Sequence, residues 1–231
     1  MSYRMGIVAA LAGEINPLVR GWTRRSDGTF ATQRKDLTAI AVAKGMGLHH
    51  VQEAVAVAES QGSLDVLVSI GWAGGASCGI QPGTAYEIAE VIDGGTGERY
   101  ATSAATSPVK LVTLDHVAGR EEKRRVAETY GASLVDMEAA VVAKIAKRKG
   151  IAFYCWKAVS DTANEELPDF NRFLGENKQL RIGQLAAYAL THPRYIAPLM
   201  RMGRNSKSGA EALGQTLRRW IDEGRYADSH R

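Results

Sequence analysis

Five apolar runs in this 231-residue chain each give way, at the C-terminal end, to a glycine turn or a carboxylate. Residues 4–11 run into Gly13-Glu14, and Leu37–Ala43 into Gly45-Met46-Gly47. Residues 65–70 break at Gly71-Trp72-Ala73-Gly74-Gly75, 132–135 end at Asp136-Met137-Glu138, and 152–159 deliver Ser160-Asp161. Runs this uniformly apolar are strands buried on both faces. Between them lie amphipathic stretches: a short helix over 14–19, then helices over 47–60, 121–129 and 138–149. Strands at 29–34 and 37–43 form a hairpin turning at Lys35-Asp36; further strands fall at 84–91 and 109–114, separated by a Gly/Ser/Thr-rich loop. Helices alternating with strands predict an α/β protein with one sheet covered on both faces.

In such sheets ligands bind beyond the carboxyl ends of the strands. That puts Glu14, Asp136, Glu138 and Asp161 around one site, beside turns that expose backbone N–H groups. Asp136 and Glu138 are two apart, so an extended backbone points both to one face. Glu138 also opens a helix, where the dipole favours the ionised form, an arrangement suited to gripping hydroxyl groups. The plainer alternative is an N-cap, with Asp136 capping and Glu138 filling the first turn. Carboxylates with exposed N–H groups suit a neutral, polyhydroxylated substrate that passes through a cationic transition state. Glycosidic cleavage is such chemistry: one carboxyl donates a proton and another activates water.

Composition excludes other classes. Cys78 and Cys155 are far apart without metal-ligand or CxxC spacing, which fits a reducing cytoplasm rather than a disulfide framework. His50 stands where a dinucleotide fingerprint needs its third glycine. Adjacent His49 and His50 diverge on a helix and cannot share a metal. Neither a metal nor another cofactor is expected. No basic and aromatic interleaving marks a nucleic-acid groove, and no apolar run approaches the ~20 residues of a membrane span. The net charge of +4 is uneven, at +5 from Arg181 onward and −1 before it. The division expected is a catalytic domain over 1–176 and a basic helical extension over 177–231, packed on or beside it.

These motifs resemble the nucleoside phosphorylase and methylthioadenosine/adenosylhomocysteine nucleosidase superfamily over nearly all of residues 5–163. The stretch from Gly6 to Glu14 resembles the nucleosidase opening that ends in the water-activating glutamate. Ala43-Lys44-Gly45-Met46-Gly47 and Gly71 to Gly75 resemble its two glycine turns. Val135-Asp136-Met137-Glu138-Ala139 is similar to the signature in which Met137 packs on the ribose and Glu138 binds its hydroxyls. Lys157-Ala158-Val159-Ser160-Asp161 resembles the strand whose aspartate protonates the purine at N7. The resemblance implies a mixed, twisted sheet forming a partial barrel flanked by helices, in homo-oligomers.

The chain also departs from the pattern. Trp72 stands where the family usually has serine, which reshapes the pocket near the ribose or the nucleophile. Val117 takes the place of the aromatic residue that stacks on the base. The phosphorylases carry a GDPLR-like phosphate loop and an arginine two residues before the second turn; here stand Ala12-Gly13-Glu14 and Ser69, so water is the expected nucleophile. Between Glu176 and Glu211 there is no acid, and basic residues alternate with apolar ones. With Leu167 to Phe173, this resembles the hopanoid-associated branch, which removes adenine from adenosylhopane. A basic amphipathic segment over 178–207 suits contact with an anionic membrane; the alternative is a face packed on the body or a second subunit. The expected protein is a cytoplasmic nucleosidase with Glu14 as base, Asp161 as acid, and Met137 and Glu138 on the ribose. Asp136, Ser160, Gly45, Gly47, Gly71, Trp72 and Val117 complete the site. Phosphorolysis, or nucleoside binding without catalysis, are the alternatives.

Overall fold

A computed structural model describes residues 2–103, 107–176 and 178–230; residues 104–106 of the Gly/Ser/Thr-rich loop, and residue 177 at the expected domain boundary, lie outside them. The strands are β1 (Tyr3–Ala9), β2 (Thr23–Arg24), β3 (Phe30–Arg34), β4 (Leu37–Ala43), β5 (Val66–Gly75), β6 (Ala85–Glu87), β7 (Glu90–Asp93), β8 (Arg99–Ala101), β9 (Lys110–Thr113), β10 (Leu134–Asp136) and β11 (Ala152–Asp161). The helices are α1 (Ala12–Ile15), α2 (Leu48–Glu59), α3 (Arg120–Tyr130), α4 (Ala139–Lys149), α5 (Ile182–Thr191) and α6 (Ile196–Asp222).

All the described strands join one mixed sheet, in the order β2-β3-β4-β1-β5-β10-β9-β7-β8, with β11 pairing β5 and β6. Strand β5 is the branch point. Its first half lies between β1 and β11, both parallel to it, and its last residues pair antiparallel with β10. The central strands alternate by period two between both faces. Met5, Ile7, Val66, Val68, Tyr154 and Trp156 face one core with α6; Val8, Leu67, Phe153 and Cys155 face the other with α2 and α4. Covering both faces is what lets these strands be continuously apolar.

Three local expectations are corrected. The glycine segment 71–75 does not break its strand: β5 runs through it because β10 and β11 both hydrogen-bond to it. The single strand expected over 84–91 is two, since β6 pairs antiparallel with β11 while β7 pairs parallel with β9. The first helix ends at Ile15, short of Val19, and the chain continues as turns. Strand β8 was not anticipated; it hairpins back on β7.

The basic C-terminal segment divides along α6. Its second half is core: Leu213, Leu217, Trp220 and Ile221 are buried against the sheet. Arg218 donates to the carbonyls of Pro17 and Leu18, fixing the chain just after α1. Gly214 lets the two backbones meet, since a Cβ there would lie 2.9 Å from Leu18 N and Pro17 C. Gly203, on the first half of the helix, has open space around it. Gly214→Ala should therefore cost about 1–3 kcal/mol by overpacking. Gly203→Ala should be neutral or slightly stabilising, because alanine is the better helix former. Thermal melts of the two variants check this: equal midpoints would mean that α6 does not press on this turn.

Candidate active site

A cavity of about 760 Å³ opens at the carboxyl ends of β1, β5, β10 and β11, and Glu14, Met137, Glu138, Ser160 and Asp161 all line it. The strand-end acids therefore do converge.

Glu14 is buried where β1 passes into α1. Its Oε2 accepts from Ala10 N at 2.9 Å and Leu11 N at 2.8 Å, and its Oε1 accepts from Trp72 N at 2.8 Å. A carboxylate has about four acceptor sites. Three are filled by backbone, so the group is fixed with one site left to orient a water. Burial pushes its pKa upward; the N–H groups of Leu11 and Trp72, the Lys157 ammonium and Ala10 N pull against that. Gly71 makes the seat possible. Its φ is +155°, and a Cβ would stand 2.9 Å from Glu14 Oε1. Trp72 gives Glu14 its N–H while its ring passes over Gly13, and its Nε1 donates to Ser206 O on α6 at 2.9 Å.

Asp136 and Glu138 do not share one role. Strand β10 ends at Asp136, so the period-two relation stops before Glu138. The Asp136 carboxylate is fully enclosed: Oδ1 accepts from Thr113 Oγ1 at 2.6 Å, and Oδ2 from Ala139 N at 3.0 Å and Lys157 Nζ at 2.7 Å. It caps α4 and anchors Lys157, so any effect on a ligand is indirect. Glu138 faces the cavity, and Gly47 N donates to its Oε1 at a long 3.4 Å. The expectation of an ionised Glu138 is corrected. Burial and the neighbouring Asp136 push its pKa from 4.5 up to about 8, with Lys157 opposing and Glu14 adding. The helix end gives no relief, because the N–H groups of Ala139 and Ala140 are already taken by Asp136 and Thr113.

Asp161 ends β11 beyond a bulge, in which Val159 pairs with Ala73 and Asp161 with Gly74, leaving Ser160 as the extra residue. Bulges re-aim side chains, and this one turns Asp161 into the cavity. Ser160 Oγ lies 2.7 Å from Asp161 Oδ1 and 3.2 Å from Ala73 O. The charged partner of Asp161 is the Lys123 ammonium, at Oδ2.

Two lysines escaped the sequence reading. Lys157 is only 1% exposed, central in β11, and 3.4 Å from Ser69 Oγ. Burial works against its charge, yet Asp136 and the other acidic groups nearby win and hold the ammonium above its ordinary range. A lysine inside Phe153-Tyr154-Cys155-Trp156-Lys157-Ala158-Val159 was the available signal, since a buried charge must be paired. Lys123 sits on α3 three and four residues before Val126 and Ala127, on the helix's apolar stripe.

The remaining positions divide. Gly47 caps α2 with φ +93° and reaches Glu138. Gly45 lies outside the cavity lining; its φ is +129°, and its N–H donates to Ala10 O. Val117 lines the cavity, clasped by Asn171 through two hydrogen bonds of 2.9 Å. Phe170, which sequence reading did not single out, lines it as well.

The sequence profile described as the phosphorylase superfamily matches residues 106–190. Solved structures resemble the whole chain. A 5′-methylthioadenosine/S-adenosylhomocysteine nucleosidase from Helicobacter pylori superposes with TM-score 0.70 at 15% identity, covering 96% of this chain and 99% of its own. Futalosine hydrolase of the same organism gives 0.72 at 15%, with the same coverage. The 5′-methylthioadenosine nucleosidase of Arabidopsis thaliana gives 0.71 at 18%, over 96% and 95%. The chain shares the fold of these solved structures over nearly its whole length. No curated protein sequence matches it. The mixed sheet and flanking helices expected from the sequence are as found.

The Glu138 shift has a measurable consequence. The folded chain holds this proton to about pH 8, and the unfolded chain releases it near 4.5. Between those values the folded state binds more protons, so stability falls as pH rises. Glu14 contributes in the same direction. Denaturant midpoints of Glu138→Gln should fall less than those of the wild type from about pH 5 to about pH 8.5. Parallel curves would mean that Glu138 ionises normally.

Proposed function

We propose that the protein is a nucleosidase, cleaving the N-glycosidic bond of an adenine nucleoside with water. The observation that carries the reading is the seat of Glu14: three backbone N–H groups fix a buried carboxylate, in the same cavity as Glu138 and Asp161. Glu14 orients and deprotonates water at the anomeric carbon. Asp161 acts at the purine, lowering the charge that builds on the departing base. Glu138, protonated through neutral pH, can donate to one ribose hydroxyl oxygen and accept from the other hydroxyl, and Met137 packs beside the sugar. Phe170 and Val117 supply apolar surface for the base.

Water is favoured over phosphate by charge. A phosphate at about 4 Å from Glu14 would be repelled by about 4 kcal/mol per unit charge at an effective dielectric of 20. The cation beside Glu14, Lys157, is already bound to Asp136. Arg20 pairs with Glu211, and none of Arg20, Arg24 and Arg25 lines the cavity. A nucleoside joined to a large lipid, as adenosylhopane is, suits the other wall. Leu167, Pro168, Leu180 and Met202 make an apolar lining that leads towards α5 and α6. There Ile182, Leu190 and Met200 are 70%, 76% and 58% exposed. Arg181, Arg194 and Arg204 are exposed with them, whereas Arg201 is engaged by Glu165. This face is proposed to rest on an anionic membrane.

Asp161→Asn keeps shape but loses the carboxyl, and should lower kcat for adenine release by about 10²–10⁴ while nucleoside binding persists; Glu14→Gln should lose activity as severely. Product analysis with added phosphate separates the readings. Free ribose at an unchanged rate is expected, and ribose-1-phosphate saturating with phosphate would sink the hydrolase. Near-normal turnover in Asp161→Asn would remove that assignment.

Vesicle co-sedimentation tests the basic face. Binding to anionic vesicles should weaken with salt, and Arg181, Arg194 and Arg204 should each contribute about 1 kcal/mol. Replacing all three with Gln should abolish binding and leave cleavage of a soluble nucleoside intact. No sedimentation at low salt would return this face to ordinary surface.

A further inference from the structure

The acid end of the cavity holds a group that the nucleosidase reading leaves without a task. Lys123 is buried on α3, and its ammonium contacts Asp161 Oδ2 and lies 3.4 Å from Thr162 O. The stem crosses Gly74, where a Cβ would stand 2.9 Å from Lys123 Cε, so strand β5 is built to admit it. Taking an ammonium out of water is costly unless it is paired, and this one is aimed at the carboxylate proposed to act on the purine. An aspartate beside an ammonium is a poor proton store. A carboxylate so paired has no proton of its own to give a leaving purine, whereas the ammonium beside it carries three N–H donors.

We infer that Lys123 is the proton source behind Asp161, a positioning residue that keeps the acid end charged with a transferable proton. The inference rests on the nucleosidase reading. As the glycosidic bond breaks, its electron pair passes to the purine. Lys123 Nζ gives a proton to Asp161 Oδ2, keeping the N–H electron pair, and the carboxyl so formed passes a proton to N7, so that Asp161 ends as the carboxylate it began and Lys123 as the neutral amine. Water adds hydroxide to the anomeric carbon and its remaining proton to Glu14; solvent reprotonates Nζ. The other titratable groups around the cavity are otherwise engaged or distant in role. Arg120 on α3 and Lys207 on α6 also line the cavity, but the ion pair to Asp161 is made by Lys123. Glu165 pairs with Arg201, and His116 lies between Asp115 and Glu122, while Asp169 caps its own 3₁₀ turn and Glu166 lies on the exposed lip.

The test is the rate of adenine release from adenosine and 5′-methylthioadenosine by wild type, Lys123→Met and Lys123→Arg, from about pH 5.5 to about pH 8.5. Arginine keeps the charge and the ion pair but does not give up its proton. For a proton source, Lys123→Arg should stay below the wild type at every pH, because the pair persists with no proton to give. The ratio of the Lys123→Met kcat to that of the wild type should be close to one at the acid end, where solvent can supply the proton. It should then fall by up to about tenfold per pH unit. For a merely structural cation the ratio would be flat with pH, and Arg would restore wild-type rates; either result overturns the inference. Thermal melts identify a variant that fails to fold, and Lys123→Arg, which preserves the pair, decides if Lys123→Met does. Failure of the wild type to release adenine from either nucleoside would instead sink the nucleosidase reading, and this inference with it.

Discussion

The ammonium of Lys157 is the charge on which the site is built. It reaches Asp136 at 2.7 Å, and Glu138 and Glu14 both feel its field. Three carboxyl groups in one dry region would repel one another, and like charges in a shared site cannot all ionise. One buried cation resolves this unevenly. Asp136 takes the direct contact with the ammonium, and Glu14 is held by three N–H groups. Glu138 has only a long bond from Gly47 and is driven towards the neutral form. Three acids of similar intrinsic strength thus become an enclosed anchor, a carboxylate pinned by backbone N–H groups and a group driven neutral. The differences lie in partners rather than in residue type.

Backbone irregularities place those partners. The positive φ of Gly71 clears space for the Glu14 carboxylate and points the next N–H at it. Two residues later β5 changes neighbours, from β1 to β10, and brings Gly74 beneath Lys123. On β11 the extra residue Ser160 re-aims Asp161 into the same space. The β5–β11 register passes unbroken through Gly71 and shifts only at Ser160, so that both irregularities fall where a side chain of the cavity needs room. The strain is confined to the strands' carboxyl ends, where the cavity lies.

Much of this was legible, for identifiable reasons. Strand-end acids can be read from apolar runs that stop at a carboxylate, so Glu14, Glu138 and Asp161 could be gathered before any coordinates. The hairpin at Lys35-Asp36 and the bounds of α2, α3 and α4 were likewise written in local pattern. What failed was anything set by pairing across the sheet. Glycines 71–75 look like a break and are a strand, because two neighbours supply hydrogen bonds that the local sequence cannot show. The ionisation of Glu138 was misjudged because the helix-end argument assumed free N–H groups, and Thr113, twenty-five residues earlier in the chain, had taken one of them. Lys123 and Lys157 each stood on an apolar stripe, a signal that marks burial without naming the partner.

The C-terminal helix shows how a segment that reads as an appendage becomes part of the site. The second half of α6 closes one face of the sheet, while its first half forms a wall of the cavity through Met202, Gly203, Ser206 and Lys207. The two functions meet at Trp72. Its backbone N–H holds Glu14, and its indole N–H holds Ser206 O on the helix. A serine at that position would keep the first bond and lose the second. Tryptophan there therefore couples the seat of the Glu14 carboxylate to the position of α6. The helix cannot swing away from the cavity without breaking that indole bond, so under the proposed nucleosidase reading a long substituent would pass Leu167 and Met202. That exit leads towards the exposed apolar and basic residues of α5 and α6, and an amphipathic face there is what a substrate with a lipid tail would call for.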